Sequence, residues 1–137
     1  MNRTASAHWE GDLKTGKGNI SSQSTTLNKT QFSFKTRFED GVGTNPEELL
    51  AAAHAGCFTM AIGAALGQAG TPATSLDTTA TVDLQGLDIK GVHLSIKGKV
   101  PNITPEKFAE VVKGAEKGCI ISKALSIPIT SDATLIK

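Results

Sequence analysis

The sequence predicts an α+β fold in one domain spanning residues 1–137. Three observations support this class. Short strand-like segments fill the N-terminal third, a long alanine-rich helical segment follows, and two alternating segments precede a second helix and a last strand. Strands and helices are therefore grouped along the chain, as in α+β domains. A chain of 137 residues can build one hydrophobic core, and no linker or repeat divides it.

The N-terminal third is predicted to form strands. Apolar and polar residues alternate over residues 4–9, and residues 19–24 are polar but compatible with a strand. Residues 31–38 are predicted to form a further strand whose phenylalanines share one face: Phe32, Phe34 and Phe38. Arg37 would then point to the opposite face of that strand.

A strong helix start lies at residues 44–48. Asn45 suits the N-cap, Pro46 suits the first helical position, and Glu48 has the spacing that closes a capping box. The helix is predicted to run to about Gly70, where glycine and proline stop it. Residues 49–67 carry no charge, but alanine and glycine are abundant and large apolar side chains are few. We therefore expect a central helix enclosed by protein and not a membrane span.

The second half is predicted to contain strands at residues 78–84 and 92–100 and a second helix over residues 105–118. In the second of these strands the apolar residues share one face: Val92, Leu94, Ile96 and Val100. That alternation predicts an antiparallel strand with one face in water. Cys119 is predicted to begin a short third helix, and residues 129–136 to form the last strand.

Composition argues against several function classes. The net charge is +1, the basic residues are scattered, and aromatic residues make up only 4% of the chain, so nucleic acid is not an expected partner. The first residues are polar and lack the apolar stretch of a secretory signal. We therefore expect a cytoplasmic protein in a reducing compartment, where disulfides are mostly transient.

The two cysteines, Cys57 and Cys119, are the main candidates for chemistry. They are either buried, inert small hydrophobes or a pair that cycles between dithiol and disulfide, and the residues alone leave both interpretations open. A reactive Cys57 has to be a thiolate, which an apolar helix opposes unless a cation is near. Cys119 follows a glycine at a helix start, where the helix dipole favours the thiolate.

Arg37 is the candidate cation. A guanidinium is charged at any working pH and donates hydrogen bonds in a rigid fork, although many arginines are simply solvated surface groups. Glu47 lies ten residues before Cys57 and does not reach it along the helix. It is available either to orient Arg37 or to complement the helix dipole.

His54 precedes Cys57 by three residues and lies on the same side of the helix. A Cys–His pair is typical of hydrolases and acyltransferases, whereas a packing or hydrogen-bonding histidine is more common. A non-catalytic dimer that binds an apolar ligand is a third alternative. The chain has no C-x-x-C motif and no cysteine–histidine spacing typical of zinc sites, so we expect no metal and no cofactor.

Five motifs give the chain a specific family resemblance. They are AHWEGD at residues 7–12, TRFED at 36–40, GTNPEEL at 43–49, AAHAGCF at 52–58, and KGC at 117–119 followed by Ser122. Together they resemble the osmotically inducible protein C family, which is related to the organic hydroperoxide resistance proteins. The resemblance covers nearly the whole chain.

The resemblance implies a thiol peroxidase that reduces organic hydroperoxides, and hydrogen peroxide less well, in stress defence. Cys57 matches the peroxidatic cysteine, Cys119 matches the resolving cysteine, and Arg37 and Glu47 match a polar pair beside the reactive thiol. The family often has proline after the resolving cysteine, where this chain has Ile120.

The resemblance also implies an intertwined homodimer, in which antiparallel β-sheet strands wrap around long central helices and the active sites lie near the interface. It implies a small dithiol or dihydrolipoyl protein as reductant. No cofactor, nucleic acid or membrane partner is implied.

Overall fold

A computed structural model describes residues 1–136. The chain forms two compact units, of which the first spans Met1–Leu49 and the second begins at Leu50. Strands and helices are grouped as expected, so the α+β class is confirmed.

The first unit is built on a three-stranded antiparallel sheet. Strand β1 (Ala5–Glu10) pairs with β2 (Lys17–Ser22), and β2 pairs with β3 (Thr30–Phe32). The two strands predicted before residue 25 are therefore confirmed, with ends shifted by one or two residues.

The strand predicted over residues 31–38 is wrong beyond Phe32. The chain turns there into a short helix, α1 (Phe34–Phe38). Ser33 caps this helix: its hydroxyl accepts the Thr36 N–H, and the Thr36 hydroxyl accepts the Ser33 N–H at 2.8 Å. This reciprocal capping box favours a helix over the strand that the alternating pattern of residues 31–38 predicted. Phe34 and Phe38 still share one face, because residues four positions apart lie on the same side of a helix.

Helix α2 (Pro46–Gln68) begins as predicted. The Asn45 side-chain oxygen accepts the Glu48 N–H at 2.7 Å, which satisfies one free donor of the first turn. The predicted capping box is not closed, because the Glu48 carboxylate instead accepts the Thr44 hydroxyl at 2.7 Å. The helix ends shortly before Gly70, whose φ of 78° belongs to the left-handed region that glycine tolerates.

The second unit contains a mixed three-stranded sheet. Strand β4 (Ser75–Gln85) is antiparallel to β5 (Asp88–Lys99), whereas β5 is parallel to β6 (Ile129–Ile136). The parallel pair corrects the expectation that the sheet strands are all antiparallel. It requires a long crossover, which helices α3 (Pro105–Gly118) and α4 (Ile120–Ala124) provide.

The core of the second unit lies between one face of this sheet and the helices. The predicted inward residues of β5 are buried, with Leu94 and Ile96 fully inaccessible. Three residues of α2 and three of α3 complete the core: Phe58, Ile62, Leu66, Phe108, Val112 and Ala115. The turn of α2 that carries Cys57 is therefore fixed from its buried side.

The opposite face of α2 is exposed, contrary to the expectation of an enclosed helix. Among residues 1–136, α2 is the one helix long and apolar enough to cross a membrane, and only 22% of its apolar window is buried. Met60 is 77% exposed. The other exposed residues of this face are small and uncharged: Ala52, Ala53, Gly56, Ala64 and Gly67.

Candidate functional site

Arg37 and Glu47 form an ion pair in the first unit. The Arg37 Nε donates to Glu47 Oε1 at 2.8 Å, which joins α1 to the first turn of α2. Glu47 is 8% exposed, whereas the Arg37 side chain is about half exposed. The structure therefore brings together Arg37 and Glu47, the polar pair that the sequence indicated. Arg37 lies on helix α1 and not on the predicted strand, and Glu47 lies on α2.

Both partners keep unused hydrogen-bonding capacity. Glu47 Oε2 is buried and has no hydrogen-bond partner among residues 1–136, and over that range the terminal guanidinium nitrogens of Arg37 donate no hydrogen bond. The guanidinium also lies 5.4 Å from the centre of the Phe38 ring. Arg37 is thus fixed through Nε while its remaining N–H groups are free to bind an oxygen atom.

An apolar cavity of about 290 Å³ adjoins Arg37 in the same unit. Its polar lining comes from Arg37 and Ser33. Its apolar lining consists mainly of aromatic side chains: Trp9, Leu13, Phe32, Phe34, Phe38 and Pro46. A cavity of this kind accommodates an apolar group beside a cation.

Cys57 lies in the second unit, halfway along α2. Its thiol is free and partly exposed, and its side chain packs against the hydrophobic core. Around the helix axis, Cys57 lies between the buried side that carries Phe58 and the exposed side that carries Gly56. Cys57 is therefore accessible on a rigid element, as a nucleophile has to be.

Cys119 is a free thiol that is only 2% exposed. Its N–H donates to the last turn of α3, and its Sγ accepts the N–H of Ser122 at 3.3 Å as the N-cap of α4. The expected help from a helix dipole is weak, because α4 has five residues and α3 ends at the same cysteine. Two hydrogen bonds with Ser122 are instead the main local interactions of this sulfur: Sγ accepts the Ser122 N–H, and the Cys119 S–H donates to the Ser122 hydroxyl.

His54 is fully buried and does not pair with Cys57. Its Nε2 lies 2.7 Å from the Ser122 hydroxyl, and its Nδ1 has no hydrogen-bond partner within residues 1–136. The Cys57–His54 dyad of a hydrolase is therefore not formed. Burial lowers the pKa of His54, so the ring is neutral at neutral pH.

Ser122 is the polar residue of this region whose role the sequence did not reveal. Its hydroxyl lies 3.1 Å from Cys119 Sγ as well as 2.7 Å from the His54 ring. The available signal was spacing, since a serine three residues after a helix N-cap stands where capping-box partners are found.

The remaining histidines lie elsewhere. His93 is on the exposed face of β5 as predicted, and it contacts Thr130 and Asp132 of β6 at 2.7 Å each. Hydrogen bonds from His93 and Ser95 lower the pKa of Asp132. Within the described part of the chain, no group of three or more His, Cys, Asp or Glu side chains is arranged to hold a metal ion.

Comparisons with known proteins give a consistent relationship. The family model described as OsmC-like protein matches residues 38–132. The chain is 45% identical over 139 aligned residues to the Escherichia coli protein named Peroxiredoxin OsmC, covering 98% of this chain and 97% of that relative. A protein of the same name from Shigella flexneri matches to the same extent.

Solved structures share the fold over nearly the full length. The organic hydroperoxide resistance protein OhrB of Bacillus subtilis is 26% identical with a TM-score of 0.71, covering 97% of this chain and 98% of that one. An OsmC-like protein of Vibrio cholerae has a TM-score of 0.76 at 12% identity, covering 97% and 99%. The second likeness concerns the fold alone.

Proposed function

This chain belongs to the OsmC-like family, and from that membership we propose that it is a thiol peroxidase that reduces organic hydroperoxides, and hydrogen peroxide more weakly. The observation that carries the proposal is the 45% identity to Peroxiredoxin OsmC over nearly the whole chain. Two free cysteines in one unit, one of them accessible, support it further. Stress defence against peroxides is the corresponding biological role.

The chemistry proceeds in three steps. The Cys57 thiolate attacks the terminal peroxide oxygen, the O–O bond breaks, and Cys57 becomes a sulfenic acid. The leaving alkoxide takes up the proton that the thiol released on ionising and departs as the alcohol. The Cys119 thiol then displaces water from that sulfur to form the Cys57–Cys119 disulfide. A dithiol, either small or on a dihydrolipoyl protein, restores both thiols by exchange.

Arg37 and Glu47 are proposed as the polar pair that assists the first step. A guanidinium held through Nε keeps its terminal N–H groups available, so it can stabilise both the thiolate and the negative charge that develops on the leaving oxygen. Glu47 fixes its orientation. The apolar cavity beside Arg37 supports a preference for peroxides with an organic substituent.

We further propose that the active form is a homodimer with the exposed face of α2 at the interface. That face is uncharged, and its glycines leave room for a second backbone, since a Cβ placed on Gly56 or Gly67 meets nothing within 4 Å. An exposed apolar helix face of this kind is stabilised when another surface packs against it, and the same face of a second copy of this chain is a complementary surface.

The single domain predicted from the sequence remains part of this proposal, as does the cytoplasmic location. A pair of thiols that must return to the reduced form suits a reducing compartment. No cofactor is needed for the three steps, and neither nucleic acid nor a membrane takes part in them.

The direct test follows the consumption of cumene hydroperoxide with a dithiol. Cys57→Ser is expected to abolish consumption, whereas Cys119→Ser is expected to retain one oxidation of Cys57 and to lose disulfide-linked turnover. Full consumption by Cys57→Ser would contradict the proposal. His93→Gln, a change at an exposed histidine away from both cysteines, is the matched control and should keep the activity.

A further inference from the structure

The step that forms the disulfide needs a base for the Cys119 thiol, and this thiol is almost completely buried. Hydroxide from the solvent has little access to a sulfur that is 2% exposed. A base inside the protein is therefore the simplest solution.

Ser122 and His54 form a continuous hydrogen-bonded chain from this thiol. The Cys119 Sγ lies 3.1 Å from the Ser122 hydroxyl, which lies 2.7 Å from His54 Nε2. Ser122 is 6% exposed and His54 is 0% exposed, so the whole chain is shielded from water. It connects three residues from α2, α4 and the junction before α4.

Packing alone does not account for these residues. His54 Nδ1 is buried without a partner in the described chain, and leaving a polar group unsatisfied costs about 1–3 kcal/mol. An apolar side chain would avoid this cost in a core otherwise built from aliphatic and aromatic residues. An unsatisfied buried polar atom in a native protein calls for an explanation, and a catalytic or redox role is one such explanation.

We propose that Ser122 and His54 form a proton relay that takes the thiol proton of Cys119 when it attacks the oxidised Cys57. This inference rests on the peroxidase function proposed above. Ser122 contacts the reacting sulfur, whereas His54 acts through Ser122 and is a positioning residue.

The relay works by reversing the direction of two hydrogen bonds. In the resting state the Cys119 S–H donates to Ser122, and the Ser122 O–H donates to a neutral His54 with its hydrogen on Nδ1. When the thiol proton moves to Ser122, the serine proton moves to His54 Nε2. The thiolate then accepts both the O–H and the N–H of Ser122.

The complete step is balanced. The Cys119 sulfur forms a bond to the Cys57 sulfur, the S–O bond of the sulfenic acid breaks, and the departing hydroxide takes the proton from the relay to leave as water. In the later reduction by a dithiol, the same chain runs backwards and returns a proton to the Cys119 thiolate.

The electrostatic surroundings keep the relay neutral at rest. Burial is the one cause of the lowered His54 pKa, with no contribution from a charged side chain within residues 1–136. The charged groups nearest in sequence to Cys119 are Lys117, which is exposed, and Glu116, which is part-buried and bonded to Lys113 and Ser131; Lys123 of α4 is exposed. The other ionisable groups of α2, α3 and α4 make no contribution to the His54 pKa; the groups that adjoin the relay are the Cys119 thiol, bonded to Ser122, and the Cys57 thiol, three residues after His54.

The test measures two steps in the same sample. Fully reduced enzyme is mixed with cumene hydroperoxide, quenched at intervals and alkylated, and mass spectrometry then counts sulfenic acid and disulfide. Ser122→Ala keeps the backbone N–H that donates to Cys119 Sγ and removes only the hydroxyl, so it is a mild change. His54→Gln keeps a polar side chain that does not titrate.

Both variants are expected to slow disulfide formation relative to sulfenic acid formation, on the order of a hundredfold at pH 7. Their disulfide rate should fall about tenfold per pH unit on acidification, because hydroxide then has to remove the proton. The wild-type rate should stay nearly constant from pH 8 to pH 7, since burial lowers the pKa of His54 and keeps the ring neutral over this range. Ser126→Ala, at an exposed serine after α4, should behave as wild type.

The alternative outcomes are distinct. Wild-type disulfide rates in both variants would overturn the relay, and so would slower rates with an unchanged pH dependence, since Ser122 and His54 would then only hold α4 in place. If the wild type forms no sulfenic acid at Cys57, the peroxidase proposal itself fails. If sulfenic acid forms and only the variant effects are missing, the relay alone fails.

Discussion

At the residue scale, the polar side chains of this protein fall into two separate hydrogen-bonded groups. Arg37 and Glu47 are joined at 2.8 Å in the first unit, and Cys119, Ser122 and His54 form a buried chain in the second. Each group has one unsatisfied buried atom, Glu47 Oε2 or His54 Nδ1. An unsatisfied buried polar atom costs free energy in a native structure and calls for an explanation. A role in catalysis is the explanation that we propose for both groups.

A change at Glu47 tests the first group. Glu47→Gln keeps an acceptor for Arg37 Nε but removes the negative charge, and a charge-assisted hydrogen bond is roughly twice as strong as a neutral one. We expect the rate of Cys57 oxidation to fall about tenfold, because the guanidinium is held less firmly. The measurement is stopped-flow oxidation by cumene hydroperoxide.

Glu48→Gln is the matched control for that experiment. It removes the same charge from the same helix turn, but its carboxylate is bonded to Thr44 and not to Arg37. Both variants should lose a similar, small amount of helix-dipole stabilisation. Equal oxidation rates in the two variants would argue against a special role for Glu47.

At the scale of elements, the junction of α3 and α4 determines the environment of Cys119. Cys119 ends one helix and caps the next, with φ of −65° and ψ of 148°. That extended conformation is the one that residues before a proline prefer. Ile120 occupies the first position of α4, where proline is favoured, and its side chain is 73% exposed.

We therefore expect Ile120→Pro to be tolerated and mildly stabilising. Proline at a compatible position restricts the unfolded chain and adds about 0.4–1 kcal/mol to the free energy of unfolding. Thermal unfolding should show a rise in Tm of about 1–4 °C. Lys123→Pro, inside the same helix, is the control and should lower Tm; a loss of stability in Ile120→Pro would show that the junction differs from this description.

At the scale of the whole molecule, the exposed face of α2 is the main unexplained surface of the described chain. It carries an exposed Met60 between glycine and alanine residues and has no charge from residue 49 to residue 67. Exposure of such an apolar surface to water is unfavourable unless another molecule packs against it. A homodimer built on this face would also account for a helix of 23 residues in so small a protein.

Met60→Glu tests this assembly. A carboxylate at the centre of an apolar interface is costly to bury, so we expect the dimer to dissociate at least about tenfold more readily. Sedimentation velocity over a concentration series gives the measurement. Leu87→Glu is the matched control, because Leu87 is 89% exposed in the β4–β5 turn and away from α2. A dimer unaffected by Met60→Glu would place the interface elsewhere.

The sequence by itself determined the α+β class, most of the helices and strands, the family and the two cysteines. These properties depend on local patterns: the N-cap at Asn45, the alternation along β5, and motifs such as AAHAGCF. The sequence was wrong where a local pattern fitted two structures, as at residues 34–38, where the Ser33–Thr36 capping box gave a helix.

The tertiary structure alone decided which distant residues meet. The parallel pairing of β5 with β6 depends on the crossover through α3 and α4, and the bond between His54 and Ser122 joins residues 68 positions apart. Local periodicity indicates neither contact, because both join residues that are far apart in the sequence. Their stability depends on burial across the whole core. For that reason the sequence left open whether His54 pairs with Cys57 or packs and bonds elsewhere, and the fold directs its ring to Ser122.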